Sequence, residues 1–214
     1  QASRFSSYSF SVSTPAGFSD GNFHTKNPYE AGQQDLYYVS VLTTPITLKA
    51  NNEAFLEFDE IVLVEPGDAN GFWDFVTVEG SKDGGDTWIT FGEEYDASAE
   101  SDWLAAWNSS TDGQNNSTAV GTPSLFRPRS INLTQPAEFN PGDNILIRFI
   151  LYSDELVTGW GWTIDNLNIQ SGITSIEEYL SEEGLRIYPN PSHDIFNIDL
   201  QLDKAVQQGA ITVY

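Results

Sequence analysis

The chain is 214 residues long and sets 31 Asp and Glu against 9 Lys and Arg, a formal net charge of −22. Charge of that sign repels phosphate backbones and anionic lipid, which argues against nucleic-acid and membrane-surface roles. Cys is absent, so disulfides, zinc–thiolate sites and thiol nucleophiles are excluded, while 13% aromatic residues with six Trp mark a folded core rather than an acidic disordered chain.

In chain order the pattern is β nearly throughout. Residues 36–48 hold two strand candidates broken at Thr44-Pro45. Residues 55–64 (FLEFDEIVLV) alternate apolar and acidic side chains and then turn continuously apolar, as suits a strand buried on one face at its start and on both at its end. Residues 72–79, 88–91 and 144–151 follow as strands, the last with Arg148 as its one charge. Residues 160–169 alternate with a phase slip near Asp165 that predicts a bulge. Between them lie Pro-Gly-Asp and Asp-Gly-Gly-Asp turns. The polar segment 96–125 reads as a long surface excursion with one helical turn at most. No stretch reaches the ~18 apolar residues of a membrane-spanning helix. The prediction is an all-β protein, with an antiparallel jelly-roll β-sandwich over residues 1–170. An acidic linker follows at 171–184, with a short helix over 173–183 capped by Ser175. Residues 185–214 open a small β domain. The chain starts at Gln1 without a basic, apolar leader and stops in strand-like residues, so both ends read as interior points of a longer protein.

Residues 185–202 (LRIYPNPSHDIFNIDLQL) resemble the start of the C-terminal sorting domain carried by type IX secretion cargo of Bacteroidetes-type bacteria. The resemblance covers about the first third of such a domain. It implies an Ig-like β-sandwich, export across the outer membrane, and Tyr188, Pro189, Asn190 and Pro191 as the docking edge for the translocon and its outer-membrane β-barrel shuttle. A second resemblance spans residues 36–170, through LEFDE, VEGSKDGGDTW, IRFILYSD and GWGWTIDNLNI in that order. It is to the jelly-roll modules beside immune-inhibitor-A-type metalloproteases and, more distantly, to MAM domains. That similarity implies an accessory or adhesive module, and Asn166 stands where the family commonly has Asp.

Residues 81–88 also fit an Asp-box, a turn in which Asp83 accepts backbone N–H groups above Trp88. Calcium is the metal this composition suits, because it takes several oxygen ligands. Asp20, Asn22, Glu65, Asp68, Asp74 and Asp165, all near turns or strand ends, are its candidate ligands as a structural ion. His24 and His193 are far apart, and no nucleophile motif or Ser/His/Asp set assembles from the sequence, so the expected chain is not an enzyme. A carboxylate pair from Glu57, Asp59 and Glu60 is the remaining catalytic option, set against roles at solvated sheet edges or as partners of Arg148. Arg127 and Arg129, flanking Pro128, are placed to pin the excursion to the acidic body. Trp73, Trp103, Trp107, Trp160 and Trp162 could supply rings for a sugar-binding platform, with Trp88 and one of Trp160 and Trp162 expected in the core and Trp103 and Trp107 in the polar excursion as the best exposed candidates. The expected function is a non-catalytic C-terminal region of a secreted or cell-surface type IX cargo, with no nucleic acid and no membrane insertion. The alternative is a carbohydrate-binding module that anchors an upstream enzyme to an extracellular glycan.

Overall fold

In a computed structural model of the chain, the described residues are 5–7, 10–29, 35–170, 180–188 and 197–202. They fall in two compact units, Gln1–Gln170 and Ser171–Tyr214. The first unit contains strands β1 (Phe5–Ser7), β2 (Phe10–Ser13), β3 (Asn22–Thr25), β4 (Leu36–Leu42), β5 (Ile46–Thr47), β6 (Phe55–Leu63), β7 (Phe75–Ser81), β8 (Ile89–Thr90), β9 (Arg127–Asn132), β10 (Asn144–Ser153) and β11 (Gly161–Ile169). One helix, α1 (Ser101–Ser109), lies between β8 and β9.

Two antiparallel sheets form a sandwich. The first runs β1-β4-β10-β7-β8, with β5 also paired to β10, and the second runs β2-β3-β11-β6-β9. From β6 to β11 the chain alternates between the sheets apart from the β7–β8 hairpin, so the other connections cross an end of the sandwich. The inner faces are set by period-two burial. Along β10, Ile145, Ile147, Phe149 and Leu151 are buried from one sheet. Phe10, Phe23, Phe58 and Trp162 meet them from the other, with Phe149 5.5 Å from Trp162 and 5.7 Å from Phe58, ring centre to ring centre. Each such side chain contributes roughly 1.5–3 kcal/mol by leaving water. The expected bulge is present, as a register shift between Asp165 and Asn168 with Asn166 at φ 50°.

One charge sits inside this apolar layer. Glu60 shares the inner-face parity of Phe58 and is fully buried. Its carboxylate accepts from Arg129 Nε at 2.7 Å, Tyr95 Oη at 2.7 Å and Trp162 Nε1 at 2.8 Å. The Arg129 guanidinium also lies over the Tyr95 ring, 4.2 Å from its centre. Burial lifts the Glu60 carboxyl above the ordinary range, and Arg129 with the other donors pulls it back. Arg148 pairs with Glu79, its register neighbour on β7, and not with the acids of β6.

The excursion differs from its sequence reading in two ways. It holds a nine-residue helix rather than one turn, and it packs against β6 rather than standing off the surface. Trp103 and Trp107 are four apart, which places both on the helix face turned to the sheet, while the Ser and Asn residues that make the segment read as polar take the other face. Arg127 anchors this segment to Asp102 and Arg129 anchors the following strand to Glu60.

In the second unit, β12 (Leu180–Tyr188) pairs antiparallel with β13 (Asn197–Leu202). The helix expected through residue 183 is therefore corrected over Leu180–Glu183, where ladder pairing of Leu180 with Leu202 overrides a Glu-rich, helix-favouring composition. Ser175 and the rest of 171–179 lie outside the described residues, as do Pro189, Asn190 and Pro191; Tyr188 is the last residue of β12.

Candidate functional site

Antiparallel pairing brings the start of β4, the end of β10 and the start of β7 to one end of the first sheet. Tyr152 is the register partner of both Tyr37 and Phe75, so the three rings fall in one row on the outer face. Tyr152 lies 5.1 Å from Tyr37 and 4.9 Å from Phe75, and Phe72 extends the row 6.2 Å beyond Phe75. The inner two rings stack on each other. The ends of the row are open to solvent, with Tyr37 57% and Phe72 46% exposed; Trp73, next to Phe72 in the chain, is 47% exposed. The Tyr152 hydroxyl is pushed up to about 12, by burial first and then by Asp35.

Beside this row is a carboxylate cluster. Glu65, Asp74 and Asp154 bring one oxygen each within 4.8 Å of one another. Three connections build it. Asp74 is the residue before β7, Asp154 follows β10, and Glu65 opens the turn after β6. Tyr29 ties them: its hydroxyl donates to Asp74 Oδ2 at 2.5 Å and accepts from the Glu65 N–H at 3.2 Å. The Asp154 N–H donates to Asp74 Oδ1 at 2.8 Å. Asp74 is fully buried. Burial first lifts both Glu65 and Asp74 to about 7; the neighbouring carboxylates add to it. Among the described residues, the ion pairs of Lys82, Arg127, Arg129 and Arg148 all go to other acids. Oxygen donors alone, drawn together, fit a hard divalent ion such as calcium better than the softer metals that take nitrogen and sulfur ligands. Glu65, Asp74 and Asp154 would hold it.

Of the six calcium candidates, Glu65 and Asp74 are thus brought together. Asp20, Asp68 and Asp165 join no such cluster among the described residues. Asp68 is exposed and closes its own turn by accepting from the Asn70 N–H, and Asp165 accepts from the Asn166 N–H in the bulge. Asn22 is buried on β3, with no hydrogen bond to its amide. Asp154 is the member sequence reasoning missed, and its only signal was its place at the end of the apolar strand.

The tryptophan candidates are corrected. Trp103 is fully buried and donates through Nε1 to the Leu125 carbonyl at 2.8 Å, and Trp107 is 4% exposed. Neither ring face is open to a sugar, because both are spent in docking α1 onto the sheet. Trp160 and Trp162 are likewise core, and Trp88 lies half-buried under the Arg148 guanidinium, 4.2 Å away. The turn at 81–88 behaves as the motif predicts. Asp83 accepts from Ser81, from the Thr87 N–H and from the Thr87 hydroxyl, which holds its carboxyl below the ordinary range, and Gly84 and Gly85 take positive φ. Glu57 and Asp59 bond the side chains of Asn168 and Asn166 on the neighbouring strand. Glu60 points to the opposite face, while Glu57 and Asp59 share the outer face and line one shallow cavity of about 490 Å³.

No family model and no curated protein matches the chain. Among solved structures, a carbohydrate-binding module specific for non-crystalline cellulose, CBM28, aligns with a TM-score of 0.45 at 7% identity, over 76% of this chain and 82% of that one.

Proposed function

We propose that residues 10–170 are an accessory module of jelly-roll type that binds an extracellular polysaccharide on the outer face of the first sheet. The observation that supports this is the row Tyr37–Tyr152–Phe75–Phe72 with Trp73 beside it. Exposed aromatic rings gathered at one place on an acidic, otherwise polar protein are a binding surface in want of a ligand, and ring faces are what the C–H faces of a pyranose pack against. Acid and amide groups along the rim accept and donate to its hydroxyls. The carboxylate cluster takes calcium and stiffens the loops that carry Phe72 and Trp73. The module travels as part of a type IX cargo, with the segment opening at Tyr188-Pro189-Asn190-Pro191 as its sorting signal; the sequence resemblance supports that part.

Affinity electrophoresis against a panel of neutral and anionic polysaccharides tests the binding reading. Retardation by at least one polysaccharide is expected, with Trp73→Ala and Tyr37→Ala each weakening it about tenfold, the ~1–1.5 kcal/mol of one aromatic contact. Binding that survives both changes would move the site off this face. No retardation by any of them would end the reading.

A further inference from the structure

The second sheet carries a different arrangement on its outer face. His24 on β3 and Ser13 on the edge strand β2 lie on the same side, because Ser11 is the register partner of His24 and Ser13 is two residues on. Ser13 Oγ is 2.6 Å from His24 Nε2. On the other side of the ring, His24 Nδ1 is 2.6 Å from the Thr25 carbonyl oxygen. A carbonyl only accepts, so in the neutral ring the proton sits on Nδ1 and Nε2 keeps its lone pair. The Ser13 hydroxyl is then the donor, aimed at a base whose tautomer and orientation are fixed by the backbone. Nucleophile, base and orienting group within hydrogen-bond reach are the parts of an activated serine. His24 is 7% exposed and held in place, whereas Ser13 is exposed. Both line a groove of about 780 Å³, together with Lys26, Thr118, Thr158 and Trp160. Lys26 supplies a positive charge within that groove.

We propose that this groove is an acyl-transfer site in which Ser13 is the nucleophile and His24 its general base, acting on esters of small carboxylic acids. Ser13 Oγ adds to the ester carbonyl carbon while its proton passes to His24 Nε2. The ester C–O bond breaks, the alcohol leaves with that proton, and Ser13 is left acylated beside a neutral His24. Water then adds to the acyl carbon, gives a proton to His24, and Ser13 Oγ departs as the hydroxyl, releasing the acid. No other reactant is needed. The site is independent of the glycan reading, since it lies on the other sheet.

The full chain is treated with a fluorophosphonate probe and with p-nitrophenyl acetate, with intact-mass and peptide mapping as readouts. One adduct per chain on Ser13 is expected. Ser13→Ala removes it while the protein keeps a cooperative melting transition, lowered by a few degrees at most for the one hydrogen bond lost to His24. His24→Gln slows labelling by about 100-fold or more, the share of a general base. Melting curves check that this variant is folded; if it is not, removing the hydroxyl donor by Ser13→Ala still tests where the adduct forms. Absence of an adduct at Ser13 on folded protein, scattered labelling, or an unchanged rate in folded His24→Gln would each overturn the proposal.

Discussion

Replacing Glu60 with Ala tests the physics of the sandwich most directly. The side chain is fully buried and takes three donors, from Arg129, Tyr95 and Trp162, at 2.7–2.8 Å. Its removal leaves a guanidinium, a hydroxyl and an indole N–H facing a small void. Tyr95 is half-buried, and burial holds its hydroxyl far above its ordinary range, so it stays a protonated donor. Breaking one side of a buried pair costs about 3–5 kcal/mol. That is a large part of the ~5–15 kcal/mol by which domains are stable. Glu60→Gln keeps the shape and one acceptor oxygen, enough for Tyr95 and Trp162, but sets an amide N–H against the Arg129 guanidinium, which reaches solvent along one side; about 1–3 kcal/mol is expected there. Urea unfolding followed by tryptophan fluorescence gives both numbers, and Trp162, a direct partner, reports the local change. A cost below ~1 kcal/mol for Ala, with an unchanged urea slope, would mean that the three donors find water or other acceptors and that the carboxylate is not a structural lock.

Gly159→Ala is expected to destabilise by about 1–3 kcal/mol, since a methyl there would overlap the Trp107 ring and the Leu63 carbonyl; a wild-type melting temperature would show that α1 does not dock at that point. The Glu65 and Asp74 carboxyls, lifted to about 7 chiefly by burial, favour folding while protonated. Their contribution is complete below the unfolded values near 4 and is lost as pH rises towards 7, so in EGTA these two groups lower the melting temperature at pH 8 relative to pH 5.5. Calcium at about 100 times its dissociation constant should raise it at pH 8 by about 5–10 °C, the effect of ~2.7 kcal/mol, and much less at pH 5.5 where protons compete; equal melting curves with and without calcium at pH 8 would remove the metal reading.

The strands legible in the sequence are those whose alternation runs long enough to be counted. Residues 55–64, 144–151 and 160–169 each carry at least four inward apolar side chains, and they became β6, β10 and β11. β2 and β3 are four residues each, and β9 carries Pro128 and two Arg, so none of the three offers a period to read. Pro128 is tolerated because β9 is the edge of its sheet. The helix was misread because two Trp among Ser and Asn look like scattered aromatics until a neighbouring sheet defines which face matters. The calcium candidates show the same limit. Carboxylates near turns can be picked from the sequence, but which end of the sandwich each turn occupies follows from strand order, and Asp154 meets Asp74 across 80 positions only through the β10–β7 pairing.

The two tryptophans preferred as a platform, Trp103 and Trp107, are buried, while Tyr37, Phe72 and Trp73 are the aromatic rings that face solvent, and the topology says why. A sandwich has two outer faces, and this chain spends its excursion on one of them, where Trp103 and Trp107 seal α1 against β6. Rings used as seals cannot also serve as platforms, because burial on the protein removes the area a ligand would cover. The helix packs chiefly on β6 of the second sheet, and the outer row of the first is built by the cross-strand pairs Tyr37–Tyr152 and Tyr152–Phe75, with Phe72 added from the loop before β7. These contacts give Tyr152 and Phe75 a ring on each side, while Tyr37 and Phe72 each have one ring neighbour among the described residues. Tyr37 and Phe72 are thus exposed by their positions at the ends of a row, which is where an extended ligand lying across the strands would make its contacts.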